Sequence, residues 1–222
     1  PLSGSNSSER WYTPQSTSGT ISGSTTYTFT YYNQYNITVS YTVEDGGSGY
    51  SAPTFTYYST GAQTSVILST SAQTVWADSG TSWSVTNPLS GSNSSERWYT
   101  PQSTSGTVSS STTYTFTYYN QYNITVSYTV EDGGSGYSAP TFTYYSTGTQ
   151  TSLTLSTSPQ SIWADANSWS VTNPLGGSTS SERWYTATAS GTISSSTTYT
   201  FVYYNQYNIT VSYAVEDGGS GY

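Results

Sequence analysis

The sequence predicts an all-β protein: tandem immunoglobulin-like β-sandwich repeats of about 87 residues. Three observations lead there. The chain of 222 residues carries 25 Tyr and 7 Trp and is dense in Thr, Ser and Val, with 6% charged residues; β-branched and aromatic side chains are the strand-forming set. It repeats itself: PLSGSNSSERWYT begins at Pro1 and Pro88, its variant PLGGSTSSERWYT at Pro174, and YYNQYNITVSY at Tyr31, Tyr118 and Tyr203. Finally, residues 27–43 alternate with period two. Tyr27, Phe29, Tyr31, Tyr35, Ile37, Val39, Tyr41 and Val43 share one parity, against Thr, Gln, Asn and Ser on the other, which reads as a strand with one buried and one solvated face.

The remaining elements follow in chain order. Trp11 and its neighbours form a short strand, and Ile21 (Val108 and Ile193 in later copies) anchors the next. The alternating run is longer than an ordinary strand of about 5–6 residues, and Asn33-Gln34 is expected to bend it so that it serves two sheets or turns a corner. Phe55 pairs with Tyr57 on one face, and Val66 with Leu68. Val75 becomes Ile162 in the next copy, as a buried position would, and Trp83 with Val85 closes the unit. Ser-Thr-Gly, Asn-Pro and Ser-Gly punctuation separates these segments, and no stretch has a helical period. Seven or so strands with turn signals throughout is the sandwich pattern. Deletions shorten residues 78–83 to 165–169 and 100–106 to 186–191, so both places read as surface loops.

Two phases describe the repeat. If the Gly-Gly-Ser-Gly run is a flexible joint, residues 1–50 are a partial unit and 51–137 and 138–222 are whole ones. If Asn-Pro marks the boundary, the units are 1–87, 88–173 and a partial 174–222. The first phase is preferred. Against it, Asp45-Gly46 is also a strong turn signal within a domain.

Composition excludes several functions. Without Cys, His or Lys there is no zinc finger, thiol nucleophile, Ser-His-Asp triad, Schiff base or Lys-centred phosphate loop. A net charge of -8 with three arginines gives no basic groove for nucleic acid. No apolar run approaches the roughly 18 residues of a membrane helix.

YYNQYNITVSY, GGSGYSAPTFTYYSTG, VWADSGTSWSVTNPLSGS and SSERWYT together resemble the repeated β-sandwich modules of archaeal extracellular proteins, those of surface layers, stalks and filaments. The resemblance covers the whole chain. It implies structural or adhesive work outside the cell and no catalytic residues.

The candidate sites repeat with the copies. Asn-x-Ser/Thr sequons stand at Asn6, Asn36, Asn93, Asn123 and Asn208. Asn36, Asn123 and Asn208 lie on the solvent parity of the long strand and are favoured as glycan acceptors over the loop residues Asn6 and Asn93. Glu44-Asp45 and Glu131-Asp132 precede glycines, and Asp78 and Asp165 follow Trp-Ala. Such acids could contribute to a Ca²⁺ site, but two adjacent carboxylates fall short of about six oxygen ligands, so solvated turns are expected. Adjacency also argues against a glycosidase pair. Arg10, Arg97 and Arg183 are all the cations in the chain. They could join units by pairing with Glu44 or Asp45 type carboxylates of a neighbour, or stack locally on Tyr. Tyr12, Tyr32 and Tyr58 are candidate outward aromatics that could stack on sugars.

The expected function is therefore non-enzymatic: a subunit of a glycosylated extracellular filament, stalk or surface layer, with covalent glycans as its only added groups. The expected partners are copies of itself, with surface polysaccharide as a further candidate, and without nucleic acid or a membrane span. The alternative is an adhesin or carbohydrate-binding array gaining avidity from repetition.

Overall fold

A computed structural model describes residues 1–218. All regular structure in these residues is β, so no helix is available to cross a membrane. The strands are β1 (Glu9–Tyr12), β2 (Tyr32–Glu44), β3 (Thr54–Ser59), β4 (Ala62–Ile67), β5 (Gln73–Asp78), β6 (Ser82–Val85), β7 (Glu96–Tyr99) and β8 (Ser105–Thr107), followed by the 20-residue β9 (Thr112–Glu131). Then come β10 (Thr141–Ser146), β11 (Thr149–Thr154), β12 (Gln160–Asp165), β13 (Ser168–Val171), β14 (Glu182–Tyr185), β15 (Ser190–Thr192) and β16 (Thr198–Tyr207). One eight-stranded sheet contains all the long strands, and two four-stranded sheets, β4-β3-β6-β8 and β11-β10-β13-β15, lie against it.

Each small sheet closes one core. The first core draws on Ile37, Val39, Phe55, Leu68, Trp83, Trp98 and Phe116, and the second on Ile124, Val126, Phe142, Leu155, Trp169, Trp184 and Phe201. Aromatic rings dominate both: Trp83 lies 5.6 Å from Phe55 and 6.1 Å from Phe116, and Trp169 lies 5.6 Å from Phe142 and 5.3 Å from Phe201. Large rings fill a thin sandwich with few side chains, which suits a chain poor in aliphatics. Gly106 and Gly191 sit where a Cβ would come within about 3 Å of the Trp83 and Trp169 indoles, so the strand opposite each indole carries glycine.

The cores span residues 37–118 and 124–203, a phase offset from both expected ones. Each module begins and ends inside a long strand. β9 gives residues 112–119 to the first module and continues without interruption into 122–131 of the second. Asn120-Gln121 does not turn a corner; the strand stays in one sheet and serves two successive sandwiches.

Neither expected boundary is a linker. At the Gly-Gly-Ser-Gly run, Asp45, Gly46 and Gly47 take φ of 64°, 74° and 86°, the left-handed region that glycine enters freely. The turn packs tightly: the Trp98 indole donates to the Gly46 carbonyl at 3.4 Å, and a Cβ at Gly47 would meet Trp98 Nε1 and Asn120 Nδ2 at 2.8 Å. It is a crossover between the sheets rather than a hairpin or a flexible joint. The Asn-Pro segment is equally internal, since Asn87 exchanges hydrogen bonds with the Thr100 backbone and Leu89 is buried.

Candidate functional site: the joint between modules

The long strand acquires its partners in overlapping order. Residues 112–119 of β9 pair in parallel with 37–44 of β2, from Ile37–Thr112 to Glu44–Tyr119. Residues 119–122 pair antiparallel with β7, 121–126 antiparallel with β12, and 125–131 parallel with β16. Where two partners overlap they must occupy opposite edges, so β2 and β12 share one edge of β9 and β7 and β16 the other. At Gln121–Tyr122 the strand is held between the last part of one module and the first part of the next.

Polar side chains converge there. Arg97 Nε donates to Gln121 Oε1 at 2.9 Å, and Gln121 Nε2 donates to Asp165 Oδ1 at 2.9 Å. Asp165 also accepts the backbone amides of Thr147 (2.8 Å) and Gly148 (2.7 Å). That hairpin turn needs a fixed partner because Thr147 has φ 52°, a costly conformation for a β-branched residue. Gln121 and Asp165 are fully buried, and a buried carboxylate is tolerable only when its lone pairs are occupied. Arg10, Gln34, Asp78, Thr60 and Gly61 repeat the same chain of bonds one copy earlier.

The arginines complete the joint by stacking. The Arg97 guanidinium lies 4.4 Å from the Tyr99 ring of its own hairpin and 4.3 Å from Trp163 of the next module; Arg10 lies 4.3 Å from Tyr12 and 4.4 Å from Trp76. Arg183 stands 4.7 Å from Tyr185. Arg97 therefore does not pair with a Glu44 or Asp45 type carboxylate: it stacks locally on Tyr99, as the other expectation had it, and reaches the next module through the Trp163 indole and Gln121. Burial lowers the Arg97 pKa below its ordinary value, opposed by Tyr99 and Asp165.

The acids of the glycine turns are placed differently. Glu44, Glu131 and Asp132 are exposed. Asp45 reaches across copies and accepts from Asn167 Nδ2 at 3.3 Å. Burial, reinforced by the charge of Asp165, raises its pKa against that hydrogen bond. No group of three or more acidic side chains gathers in a cation-holding arrangement among the described residues. Asp78 and Asp165 are not solvated turns; they are buried turn clamps. That role was missed because the Thr-Gly turns they hold lie 17–18 residues earlier in the chain. The available signal was the joint recurrence of Thr-Gly and Trp-Ala-Asp, at Thr60 with Trp76 and again at Thr147 with Trp163.

The sequons fall into two geometries. Asn36, Asn123 and Asn208 donate their Nδ2, the atom a glycan would occupy, to the carbonyls of Ser7 (3.0 Å), Ser94 (3.1 Å) and Ser180 (3.3 Å). Asn6 and Asn93 are exposed and use only Oδ1, which accepts the amides two and three residues on. Thr179 makes the same turn with its hydroxyl in the third copy, so the turn does not require asparagine. Of the outward tyrosines, Tyr12 is covered on one side by Arg10 and Tyr32 lies against Gly61.

No protein-family model matches the chain, and no curated protein is similar enough to it to count as a relative. Among solved structures, the Bacillus anthracis TIE protein is 8% identical with a TM-score of 0.30; the match covers 77% of this chain and 34% of that one. The major pilin protein (T-13) from Streptococcus pyogenes serotype GAS131465 is 10% identical with a TM-score of 0.22, covering 79% and 97%. This chain thus spans about a third of the first protein's length. Overlaps this loose carry no argument about function, which rests on the joint itself.

Proposed function

We propose that this protein is a non-enzymatic structural subunit of a glycosylated extracellular filament, stalk or surface layer, made of immunoglobulin-like sandwiches that repeat about every 87 residues and share their long strands. One observation carries the reading. In the first module the chain enters through residues 37–44 and leaves through 112–119, and these two segments are adjacent and parallel. Tension along the array pulls the first segment toward its N-terminus and the second toward its C-terminus. The load then shears the ladder, and its hydrogen bonds must fail together rather than one at a time from an end. The second module repeats the arrangement with 125–131 and 198–204. Direct continuation of one module's last strand into the next module's first leaves no slack between them.

The archaeal resemblance of the repeat agrees with a place on the cell surface, with further copies of the same module as partners. Covalent glycans are the only added groups the reading calls for. The loop asparagines Asn6 and Asn93 are the better acceptors, because glycosylation there breaks no hydrogen bond of the fold. An adhesin that stacks sugars on Tyr12 or Tyr32 is the weaker reading, since both rings are engaged within the protein.

Pulling single molecules by their two termini tests the shear geometry. Two force peaks are expected, each releasing about 25–30 nm for a module of some 83 extended residues. Smooth extension at low force would refute it. Electron micrographs of native material lacking any axial repeat would refute the filament.

A further inference from the structure

One groove recurs in both modules but is plugged in only one of them. In the first module it is lined by Trp83, residues 102–103 and residues 113–116, so the module that follows contributes nothing to it. The Gln102 side chain fills it in place of a neighbouring strand. Its Nε2 donates to the Thr115 carbonyl at 3.0 Å, and its Oε1 accepts the Thr117 amide at 2.7 Å and the Thr100 hydroxyl at 3.2 Å. Gln15 makes the same three bonds one copy earlier, with Thr28, Thr30 and Thr13. The second module lacks the plug, because Thr186-Ala-Thr-Ala stands where the preceding copy has Thr100-Pro-Gln-Ser-Thr. The receiving groups remain. Thr200 and Val202 pair with Ser127 and Thr129 as Thr115 and Thr117 pair with Ser40 and Thr42, so their outward carbonyl and amide face the groove in the same way. Asn173 anchors the Thr186 backbone as Asn87 anchors that of Thr100. Thr186 is 4% exposed, and its hydroxyl has no partner among the described residues. The buried Trp169 indole N–H, also unpartnered, borders this groove of about 440 Å³.

We infer that the groove beside Thr186 is a carboxamide site, filled by a glutamine side chain from a second copy of this chain. A carbonyl, an amide N–H and a hydroxyl together select a primary carboxamide, which offers an oxygen and an N–H side by side. A carboxylate would set an oxygen against the Thr200 carbonyl, and an ammonium or guanidinium has no acceptor for the Val202 amide. The chain itself narrows the donor. Gln34, Gln121 and Gln206 are held by arginines, Gln15 and Gln102 plug their own grooves, Gln160 bonds Ser156, and Gln73 is half-buried in β5. Gln63 and Gln150 are exposed and bond no described residue. They lie on β4 and β11, the outer strands of the two small sheets. An outer strand can carry its glutamine to another chain while its unpaired edge adds to the contact. Only a copy that lacks its own glutamine accepts another, so such contacts fall at set modules rather than all along the array. The inference names a lateral contact within the assembly proposed above and rests on that reading. The pulling experiment and the axial repeat test the array itself and do not depend on this contact.

The test uses the whole 222-residue chain in sedimentation velocity over a range of concentrations. Self-association is expected. Gln63→Ala combined with Gln150→Ala should weaken it about tenfold, the worth of one or two hydrogen bonds. Replacing residues 187–188, Ala-Thr, by the Pro-Gln-Ser of residues 101–103 should weaken it as much, because the chain then plugs its own groove. Pro-Ala-Ser at the same place should leave it unchanged. A chain that stays monomeric throughout would overturn the inference, as would association indifferent to the paired glutamine change or to the Pro-Gln-Ser replacement. Gln63 and Gln150 are exposed, so their comparison decides the matter even if the loop replacement fails to fold.

Discussion

Phe116 and Phe29 occupy the same position in two copies of one sequence, yet Phe116 is 2% exposed and Phe29 is 45% exposed. Val108 and Ile21 differ in the same way, at 2% and 77%. Residues 112–119 form a strand because β2 lies along one edge and the β4-β3-β6-β8 sheet covers the apolar face; residues 24–31 have neither and form no strand. The local pattern is equal in both places. Strand formation here is decided by what covers the pattern, as expected when β-propensity reflects packing rather than intrinsic backbone preference.

The largest effect should come from truncating that ring. Phe116→Ala is expected to cost about 3–5 kcal/mol, and Phe29→Ala less than about 1 kcal/mol, read from chemical denaturation followed by Trp fluorescence. Equal costs would mean that residues 24–31 are covered in solution. Next comes the buried clamp. Asp165→Ala strands the amides of Thr147 and Gly148 and the Gln121 side chain, and should cost about 3 kcal/mol. Asp165→Asn should recover part of this, since one oxygen remains. A smaller contrast separates the arginines: Arg97→Ala should cost about 1–2 kcal/mol, having two rings to lose, and Arg183→Ala about half as much.

The smallest effect at neutral pH concerns Tyr118 and Tyr203. Their hydroxyls donate to the carbonyls of Thr86 and Thr172, and burial pushes both pKa values well above the ordinary tyrosine range. A folded-state pKa raised above the unfolded value near 10 gives stability that is complete below that pH. It is lost as pH rises from there toward the folded value. Alkaline titration at 295 nm should show these two phenols ionising only with unfolding. Early ionisation of all 25 tyrosines would contradict their burial.

The alternation of the long strand was legible in the sequence, and in the second copy the whole run lies in β9, but of residues 27–43 only 32–43 are strand, because nothing covers 27–31. The phase of the modules was not legible. Glycines 46 and 47 read as slack, but Gly47 is small because Trp98 and Asn120 need the space, and Gly46 takes a φ of 74°. Gln121 sits on the polar parity and reads as solvated; β7, β12 and their stacked Arg97 and Trp163 bury it. In both cases the decisive neighbour lies tens of residues away or in another copy, beyond the reach of local pattern. The sequons show a related limit. Their spacing marks five asparagines alike, and only the hydrogen bonding of Nδ2 distinguishes them.

The continuity of β9 has a consequence for durability. Endoproteases bind substrates as extended, detached segments and usually enter multidomain chains at the connections. Between the two cores here the connection is itself a paired strand, and its peptide groups are already committed on both edges at Gln121–Tyr122. Cutting between modules would first require opening one of them. Resistance to digestion at the joint therefore equals that of a module interior, and an array built this way would fail by unfolding rather than by being clipped into its repeats.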